Sequence, residues 1–538
     1  MRSVATSSSM KTRLPIVDAG PRFGSTKLAA AALRGVLTLA VFSTLLLIAA
    51  HSAQAQTETV LYNFTGGNDG AQPEASLTFH NGNLYGTTQT GGILGYGVVF
   101  ELSPNGSGGW NETVLHQFAL GEIPPQDGGF PTSNVIFDSA GNIYGTTMFG
   151  GPSDCGDCGT VFELTPNGTG WTQTILYNFT GGNDGLHPQS GLTMDAAGNL
   201  YGTTSKGGAN NTGTVFELSP SGGGWTEKII YAIPSDDSIG MYAGLAMDAA
   251  GNLYGASGAT VFELSPNGNG GWNPTVLVNF APNSPEGFDA EGTPVLDKAG
   301  NLYGTTAYGG INSNGMVYKL SPVNGTWQES VLYSFPSTKA EGSHPWGGVV
   351  LDAAGNIYGT AMIGGPNSTY CQHTCGTVFE LSPVAGGGYQ EKTLWGFNYV
   401  DGSTPMASLV LDSAGKLYGT TEAGGAIAGG IAGTVFEVNA SATATATTLT
   451  SSPNPSIHKQ TVTFTAVVTS SAGTPPDGEN VSFIKGKTVL GTGTLSGGAA
   501  SFSTSTLPVG TAAVTAVYAG DFNFVASTSN SVEQVVSK

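Results

Sequence analysis

Acidic residues recur beside glycine at one point of a repeating pattern: Asp69-Gly70, Asp127-Gly128, Asp184-Gly185, Glu341-Gly342 and Asp401-Gly402. A proline follows each glycine at the third position, namely Pro73, Pro131, Pro188, Pro345 and Pro405. Two chemistries suit this arrangement. Asp-Gly ahead of proline specifies a tight turn, with the carboxylate taken up by nearby backbone amides. A ring of such carboxylates at one mouth of a channel would instead hold a cation, and calcium is the cofactor it would admit. No EF-hand spacing is present, however, and calcium needs six to eight oxygen ligands. A third use of paired carboxylates is acid–base work on a polysaccharide, which is the enzymatic alternative.

Aromatic and histidine side chains interrupt the repeat in the same loops and in the loops facing them: Phe130, Phe149, Tyr242, Phe288, Tyr308, Trp346, Tyr370, His187 and His344. Such groups stack on sugars or hold a peptide, and equally they pack a loop against itself. The candidate binding set is therefore Asp69, Asp127, Asp184, Glu341, Asp401, Phe130, Trp346, His187 and His344. Four cysteines fall in two close pairs, Cys155-Gly-Asp-Cys158 and Cys371-Gln-His-Thr-Cys375. In an exported chain these are candidates for two local disulfides. Joint metal binding with His373 requires the two loops to meet. No nucleophile elbow, P-loop, His-Glu-x-x-His or dinucleotide fingerprint occurs, so no catalytic residue is assigned.

The elements that must position these residues come from a second pattern. Gly-Asn-Leu-Tyr-Gly-Thr-Thr begins at Gly82 and returns with edits at tyrosines 85, 144, 201, 254, 303, 358 and 418, spaced by 49 to 60 residues. Such a period marks a repeat architecture. In the third copy Gly191–Asp195, Leu200–Thr204, Gly213–Leu218 and Trp225–Tyr231 read as four antiparallel strands, and four strands per repeat make one propeller blade. Third strands occur seven times, at Val99-Phe100, Val161-Phe162, Val215-Phe216, Val261-Phe262, Val317-Tyr318, Val378-Phe379 and Val435-Phe436. Fourth strands follow only the first six. The leading segment Thr57–Phe64 matches a fourth strand, Thr174–Phe179, so it is expected to complete the last blade and pair the free edge. The fold class is all-β: a seven-bladed β-propeller over residues 56–440, closed by an N-terminal strand. The acid of the third strand (Glu101, Glu163, Glu217, Glu263, Glu380, Glu437) recurs in nearly every copy and reads as scaffold.

Charge and composition bound the partners. The net charge of −20 falls to −25 without residues 1–55, which repels phosphate backbones and argues against nucleic acid. Residues 1–55 read as a signal peptide: six basic residues, the apolar run Gly35–Ala50, and Ala53-Gln54-Ala55 as a small-x-small cleavage site. No later segment is apolar enough to span a bilayer. The mature chain is expected to be a secreted or cell-surface monomer.

The tandem Gly-Asn-Leu-Tyr-Gly-Thr … Gly-Thr-Val-Phe-Glu-Leu units resemble the choice-of-anchor tandem repeat (GloVer-type) proteins of bacteria over about residues 57–440. The Asp-x-x-Gly-Asn hairpin resembles NHL-type propeller repeats more weakly. The first resemblance implies export and carries no activity. Residues 441–448 read as an Ala/Thr-rich linker. Residues 449–538 alternate in the manner of an Ig-like β-sandwich, with strands expected at Thr461–Val468, Asn480–Ile484, Ala499–Ser503, Thr511–Tyr518 and near Ser531–Val536. Ser452-Pro453-Asn454-Pro455 and Val514–Asp521 are similar to bacterial Ig-like repeats, which implies a spacer or adhesive unit. The function expected is non-catalytic recognition of a glycan or protein by the loop face. A polysaccharide-active hydrolase or lyase and a purely structural cell-surface repeat protein are the alternatives.

Overall fold

A computed structural model describes residues 58–538 apart from 120–126, 152–154, 156, 236–239, 281–286, 338–340, 367–370, 373, 385, 426–431, 441–443, 471–473, 476 and 521–523. The expected signal segment 1–55, the start of the expected linker, Tyr370 and His373 lie outside the described residues. Among those described there is no helix, and hence none long and apolar enough to cross a membrane.

Among the described residues up to 440 there are seven four-stranded antiparallel sheets. The first consists of Thr78–His80, Asn83–Thr88, Val98–Pro104 and Trp110–Gln117; the third consists of Thr193–Met194, Leu200–Thr204, Thr214–Ser221 and Gly224–Ala232. The seventh takes Val410–Leu411, Lys416–Thr421 and Thr434–Asn439 from the end of the repeat region, and its fourth strand is Glu58–Asn63 from the beginning. In that pairing Glu58 lies opposite Val438, Val60 opposite Phe436 and Asn63 opposite Thr434.

The repeated residues make the interfaces between successive sheets. The tyrosine–glycine–threonine core of the second strand faces the aromatic of the third. A Cβ on Gly86 would stand 2.6 Å from the Phe100 ring, and one on Gly202 would stand 2.5 Å from Phe216. Only glycine lets that ring lie flat on the backbone. The phenylalanine that follows six of the seven fourth strands (Ile233 takes its place in the third sheet) meets the ring of the next sheet, edge-on in Phe64–Phe100 at 5.1 Å, Phe118–Phe162 at 5.2 Å and Phe397–Phe436 at 5.0 Å. Aromatic pairs prefer this edge-to-face geometry. One buried cluster joins the seventh sheet (Tyr418, Val435) to the first (Leu84, Phe100). Others join the first to the second and the third to the fourth.

Hydrogen bonds link the same neighbours. The threonine after the motif glycine donates to a backbone carbonyl of the following sheet: Thr87 to Ser133 (2.8 Å), Thr146 to Ser190 (3.1 Å), Thr203 to Ala243 (3.0 Å) and, from the seventh sheet back to the first, Thr420 to Ala75 (3.0 Å). The fourth sheet carries Ala256 at this rank, and there the Gly244 amide donates instead to Thr293 Oγ1 at 2.9 Å.

Turns between first and second strands are built around an aspartate. Asp138 Oδ1 accepts the Ala140 and Asn142 amides (2.9 and 2.8 Å), and Oδ2 accepts Asn142 Nδ2 (2.8 Å) and the Tyr144 hydroxyl (3.1 Å). Burial raises this carboxyl, but the bonds from Asn142, Tyr144 and Ala140 outweigh it and hold the group below the usual range. The first sheet makes the turn with Asn81 and Gly82 instead, both left-handed (φ 51° and 86°). That is the two-residue hairpin of Asn-Gly. In the first sheet the third-strand acid is absorbed within the sheet, the Tyr85 hydroxyl donating to Glu101 at 2.7 Å.

Residues beyond 444 form two further sheets, Thr445–Ser452, Val462–Ser470 and Ala499–Thr504 in one, and Ser456–Ile457, Val532–Ser537, Gly510–Tyr518, Asn480–Lys485 and Thr488–Thr494 in the other. They share a core of Leu449, Phe464, Val481, Phe483, Val514 and Tyr518. The first strand starts at Thr445, inside the stretch expected to be linker. Its threonines are β-branched, and the alternation buries Thr447 and Leu449 while the residues between face out. An Ala/Thr-rich composition therefore hides a strand here.

Candidate functional site

The loops leading into each sheet meet the loops between its second and third strands. Isolated bridges join Ala71 to Thr90, Gly129 to Phe149, Leu186 to Lys206, Phe288 to Tyr308, Ser343 to Ile363 and Ser403 to Ala423. This loop face carries all nine candidate binding residues. The hairpin turns occupy the other end of the sheets.

The carboxylates are engaged by their own loops. Asp69 accepts the Tyr62 hydroxyl at 3.1 Å, the Thr65 amide at 2.8 Å and Thr65 Oγ1 at 2.5 Å. Asp184 repeats this with Tyr177 (3.1 Å), Thr180 N and Oγ1 (both 2.8 Å) and the Gly182 amide (3.2 Å). Asp401 accepts from Asn398 N and Nδ2 (2.9 and 2.8 Å). Asp127 accepts the Ala119 amide (2.8 Å) and lies 3.2 Å from His116 Nε2. Glu341 is exposed. Among the described residues no group of three or more His, Cys, Asp or Glu side chains is placed to hold a metal ion.

The fourth strand of a sheet sends a polar residue to the acidic turn leading into that sheet. In the second sheet it is Gln173, whose Nε2 donates to the Asp127 carbonyl at 2.7 Å. The same rank holds Glu58, Glu112, Glu227 and Glu391 elsewhere. Burial first, then the facing Asp401, pushes Glu58 up to about 8. Burial, then Asp69 and Asp184 respectively, pushes Glu112 and Glu227 up to about 7. A protonated glutamate has the shape of a glutamine and can likewise donate, and Gln173 occupies the same rank.

Aromatic candidates gather into two ladders. In one, Tyr96 meets Phe130 at 5.6 Å, Phe130 meets Phe149 at 5.3 Å, and Phe149 meets His187 at 5.2 Å. In the other, Phe288 stacks on Tyr308 at 5.1 Å, and Tyr308 meets His344 at 4.9 Å. Trp346 is partly exposed, and its indole nitrogen is enclosed and without a hydrogen-bond partner among the described residues. Burial lowers both His187 and His344, and Lys206 lowers His187 further, so both rings are neutral at neutral pH.

Phe130, His187 and His344 share a backbone peculiarity with Gln72, Asp289 and Thr404: all lie at φ between 56° and 68°. The amide of each reaches back to the preceding sheet, as in Gln72 to Ala432 (3.0 Å), Phe130 to Tyr96 (2.8 Å), His187 to Cys158 (3.0 Å) and His344 to Asn314 (2.8 Å). The bond explains the conformation but not the side chain. Glycine would be relaxed there, and at this rank the fourth sheet has Gly240, φ 90°. Six side chains are thus kept where each costs about 1 kcal/mol of backbone strain. Strain of this kind clusters at functional positions.

Cys155 is bonded to Cys158 and Cys371 to Cys375, with Cα–Cα distances of 5.8 and 5.5 Å. Each bond closes a loop on the same face. Sequence reasoning missed Ile93, Leu94, Ile311 and Val400, which are 70, 58, 85 and 60% exposed. They are the large apolar side chains up to residue 440 that are more than half exposed among the described residues, and all four stand on the loop face. The available signal was an apolar residue inside a glycine-rich loop, as in Gly92-Ile93-Leu94-Gly95. Glu74 and Glu291 were missed too. Burial, then Glu422 and Asp289 respectively, pushes them up to about 7 and about 8.

No curated protein matches this chain. Among solved structures it is similar to the extracellular domain of a protein assigned as a hybrid two component system from B. thetaiotaomicron (12% identity, TM-score 0.42, 90% of this chain and 58% of that one). It is also similar to virginiamycin B lyase from Staphylococcus aureus (11% identity, TM-score 0.44, 71% and 98%). This chain therefore spans 58% of the length of the first of these. The model of the Gloeobacter/Verrucomicrobia repeat matches residues 46–157, 107–259 and 256–504, which is most of the chain, and the protein belongs to that family.

Proposed function

We propose that this protein is an exported, non-catalytic binding protein. It is a seven-bladed β-propeller, closed by its N-terminal strand, that presents its loop face to a glycan or protein at the cell surface or outside the cell. The two-sheet module after residue 444 is an Ig-like sandwich that acts as a spacer, and the protein works as a monomer. The observation that carries this reading is the set of side chains held in left-handed backbone on one face, Phe130, His187 and His344 among them, with Ile93, Leu94, Ile311 and Val400 exposed around them. Loops on a rigid scaffold carry recognition, and these exposed apolar side chains belong to loops of that kind. With Asp69, Asp184 and Asp401 already bonded within their turns, the face offers aromatic contact rather than acid–base chemistry.

The test is a glycan and peptide array with the purified protein and its Phe130→Gly and His344→Gly variants, with and without calcium. Glycine relieves the backbone at both positions, so folding should be retained while capture falls at least tenfold. Capture that survives both changes, or turnover of a captured polysaccharide, would overturn the reading.

A further inference from the structure

At the opposite end of the sheets a cavity of 470 Å³ opens between the third and fourth sheets. We propose that it is a second binding site, for a neutral mono- or disaccharide unit. The proposal rests on the reading of this chain as a binding protein but uses none of the loop-face residues. Its size is within the range of small-ligand pockets, about 300–1,000 Å³.

The walls supply what a sugar needs. Trp272 offers a partly exposed indole, held by the Tyr201 ring that meets it edge-on at 5.8 Å. Glu217 offers a carboxylate, with Ser219 Oγ at 3.4 Å and Lys228 Nζ at 3.9 Å. Lys228 also reaches across the crevice to donate to the Gly270 carbonyl. Acceptor, donor and an aromatic ring therefore line one crevice, the combination that suits the hydroxyls and the C–H face of a pyranose. Asp195 also lines the cavity, but its oxygens are spent on the Ala197 and Asn199 amides, Asn199 Nδ2 and the Tyr201 hydroxyl. Glu217 and Lys228 offset each other, and the Asp195 charge is met by its four donors, so the site holds no unpaired cation for an anionic ligand and suits a neutral one.

Two of the equivalent crevices are closed by a phenylalanine ring. At the rank of Met247 the second sheet has Phe137, which stacks on His80 at 4.0 Å and meets Tyr85 at 4.8 Å, filling the crevice between the first two sheets. The first sheet has Phe79, which stacks on Tyr418 at 6.1 Å at the seventh-to-first crevice. Met247 lacks a ring, as do Met194, Leu296, Leu351 and Leu411 at the same rank; what this crevice has besides is the Lys228 side chain reaching the Gly270 carbonyl across it.

The experiment is titration calorimetry of the protein with a panel of neutral sugars, including glucose, galactose, mannose, cellobiose and maltose. At least one should bind. Met247→Phe, which installs the ring that closes the first crevice, should weaken it more than tenfold, and Lys228→Met should weaken it severalfold. Should Met247→Phe fail to fold, Lys228→Met together with Glu217→Gln decides. Failure of every sugar to bind, or binding unchanged in these variants, overturns the proposal. The His344→Gly variant separates the two sites: sugar binding lost there but kept in Met247→Phe places the ligand on the loop face and removes the crevice site alone.

Discussion

The two ends of the sheets are built from the same repeat and do opposite things with it. At the hairpin end Asp138, Asp195, Asp248, Asp297 and Asp352 each close the same turn through the same four acceptor contacts. At the loop end the acidic turns vary: Asp69 and Asp184 match, Asp127 takes His116, Asp401 takes Asn398, and Glu341 is left in solvent. Uniform turns hold the scaffold, and the variable ones are free to differ because the interfaces below them are already fixed. The left-handed side chains Phe130, His187 and His344 and the strongly exposed Ile93, Leu94, Ile311 and Val400 stand where the turns vary.

That division predicts unequal damage. Phe100→Ala should do the most harm. The ring is fully buried, edge-on to Phe64 across the closing interface and pressed on Gly86. A cavity of that kind costs about 3–5 kcal/mol, to be read from denaturant unfolding. A loss below 1 kcal/mol would mean that the seventh and first sheets do not depend on this contact.

Next come the disulfides. Replacing Cys155 and Cys158 by serine releases a loop of only four residues, worth about 2 kcal/mol by chain entropy. The loss should appear as a lower unfolding midpoint, and thiol reductant should mimic it. If reductant leaves the midpoint where it is, the bond contributes nothing to the loop face. A third comparison sets Asp195→Ala against Asp184→Ala. Both aspartates accept charge-assisted hydrogen bonds from their own turns, so each change should cost about 1.5–3 kcal/mol. Loss of ligand capture by Asp184→Ala with no loss of stability would instead make that carboxylate part of the binding surface.

Much of this was legible in the sequence, for a physical reason. Tyr-Gly-Thr and Val-Phe-Glu recur because every interface needs the same glycine under the same ring, so seven copies announce seven sheets. The displaced strand was legible because Thr59–Phe64 is edited from the same template as Thr174–Phe179. The strand at Thr445 was not, since alternation between threonine and alanine leaves no polarity contrast. The loop face was legible in residue type but not in arrangement. Nothing in the spacing of Phe149 and His187 says that they touch, because contact there depends on how adjacent sheets abut. The left-handed positions of Phe130 and His344 were hidden for a related reason: a following proline marks the turn without revealing the φ of the residue before it.

The smallest effect expected concerns pH, and it separates the fourth-strand glutamates from the hairpin aspartates. Burial, then a facing acid, pushes Glu227 and Glu112 up to about 7 and Glu58 up to about 8, against 4.5 for the free group. The folded protein therefore binds these protons more tightly than the unfolded chain. Their contribution is complete below about pH 4.5 and is lost as pH rises through 7 to 8. Asp138, Asp195, Asp248 and Asp297 are held below their ordinary 3.8. They act in the reverse sense, and their contribution disappears only as pH falls below that value. Glu227→Gln installs the group already present at position 173, so it should match the parent near pH 5 and exceed it near pH 9. The margin is below about 1 kcal/mol, because the side chain is partly solvated. Thermal unfolding midpoints across that range measure it. A variant less stable than the parent at pH 9 would show that the ionised carboxylate is useful, and Gln173 would then be an exception rather than the model for its rank.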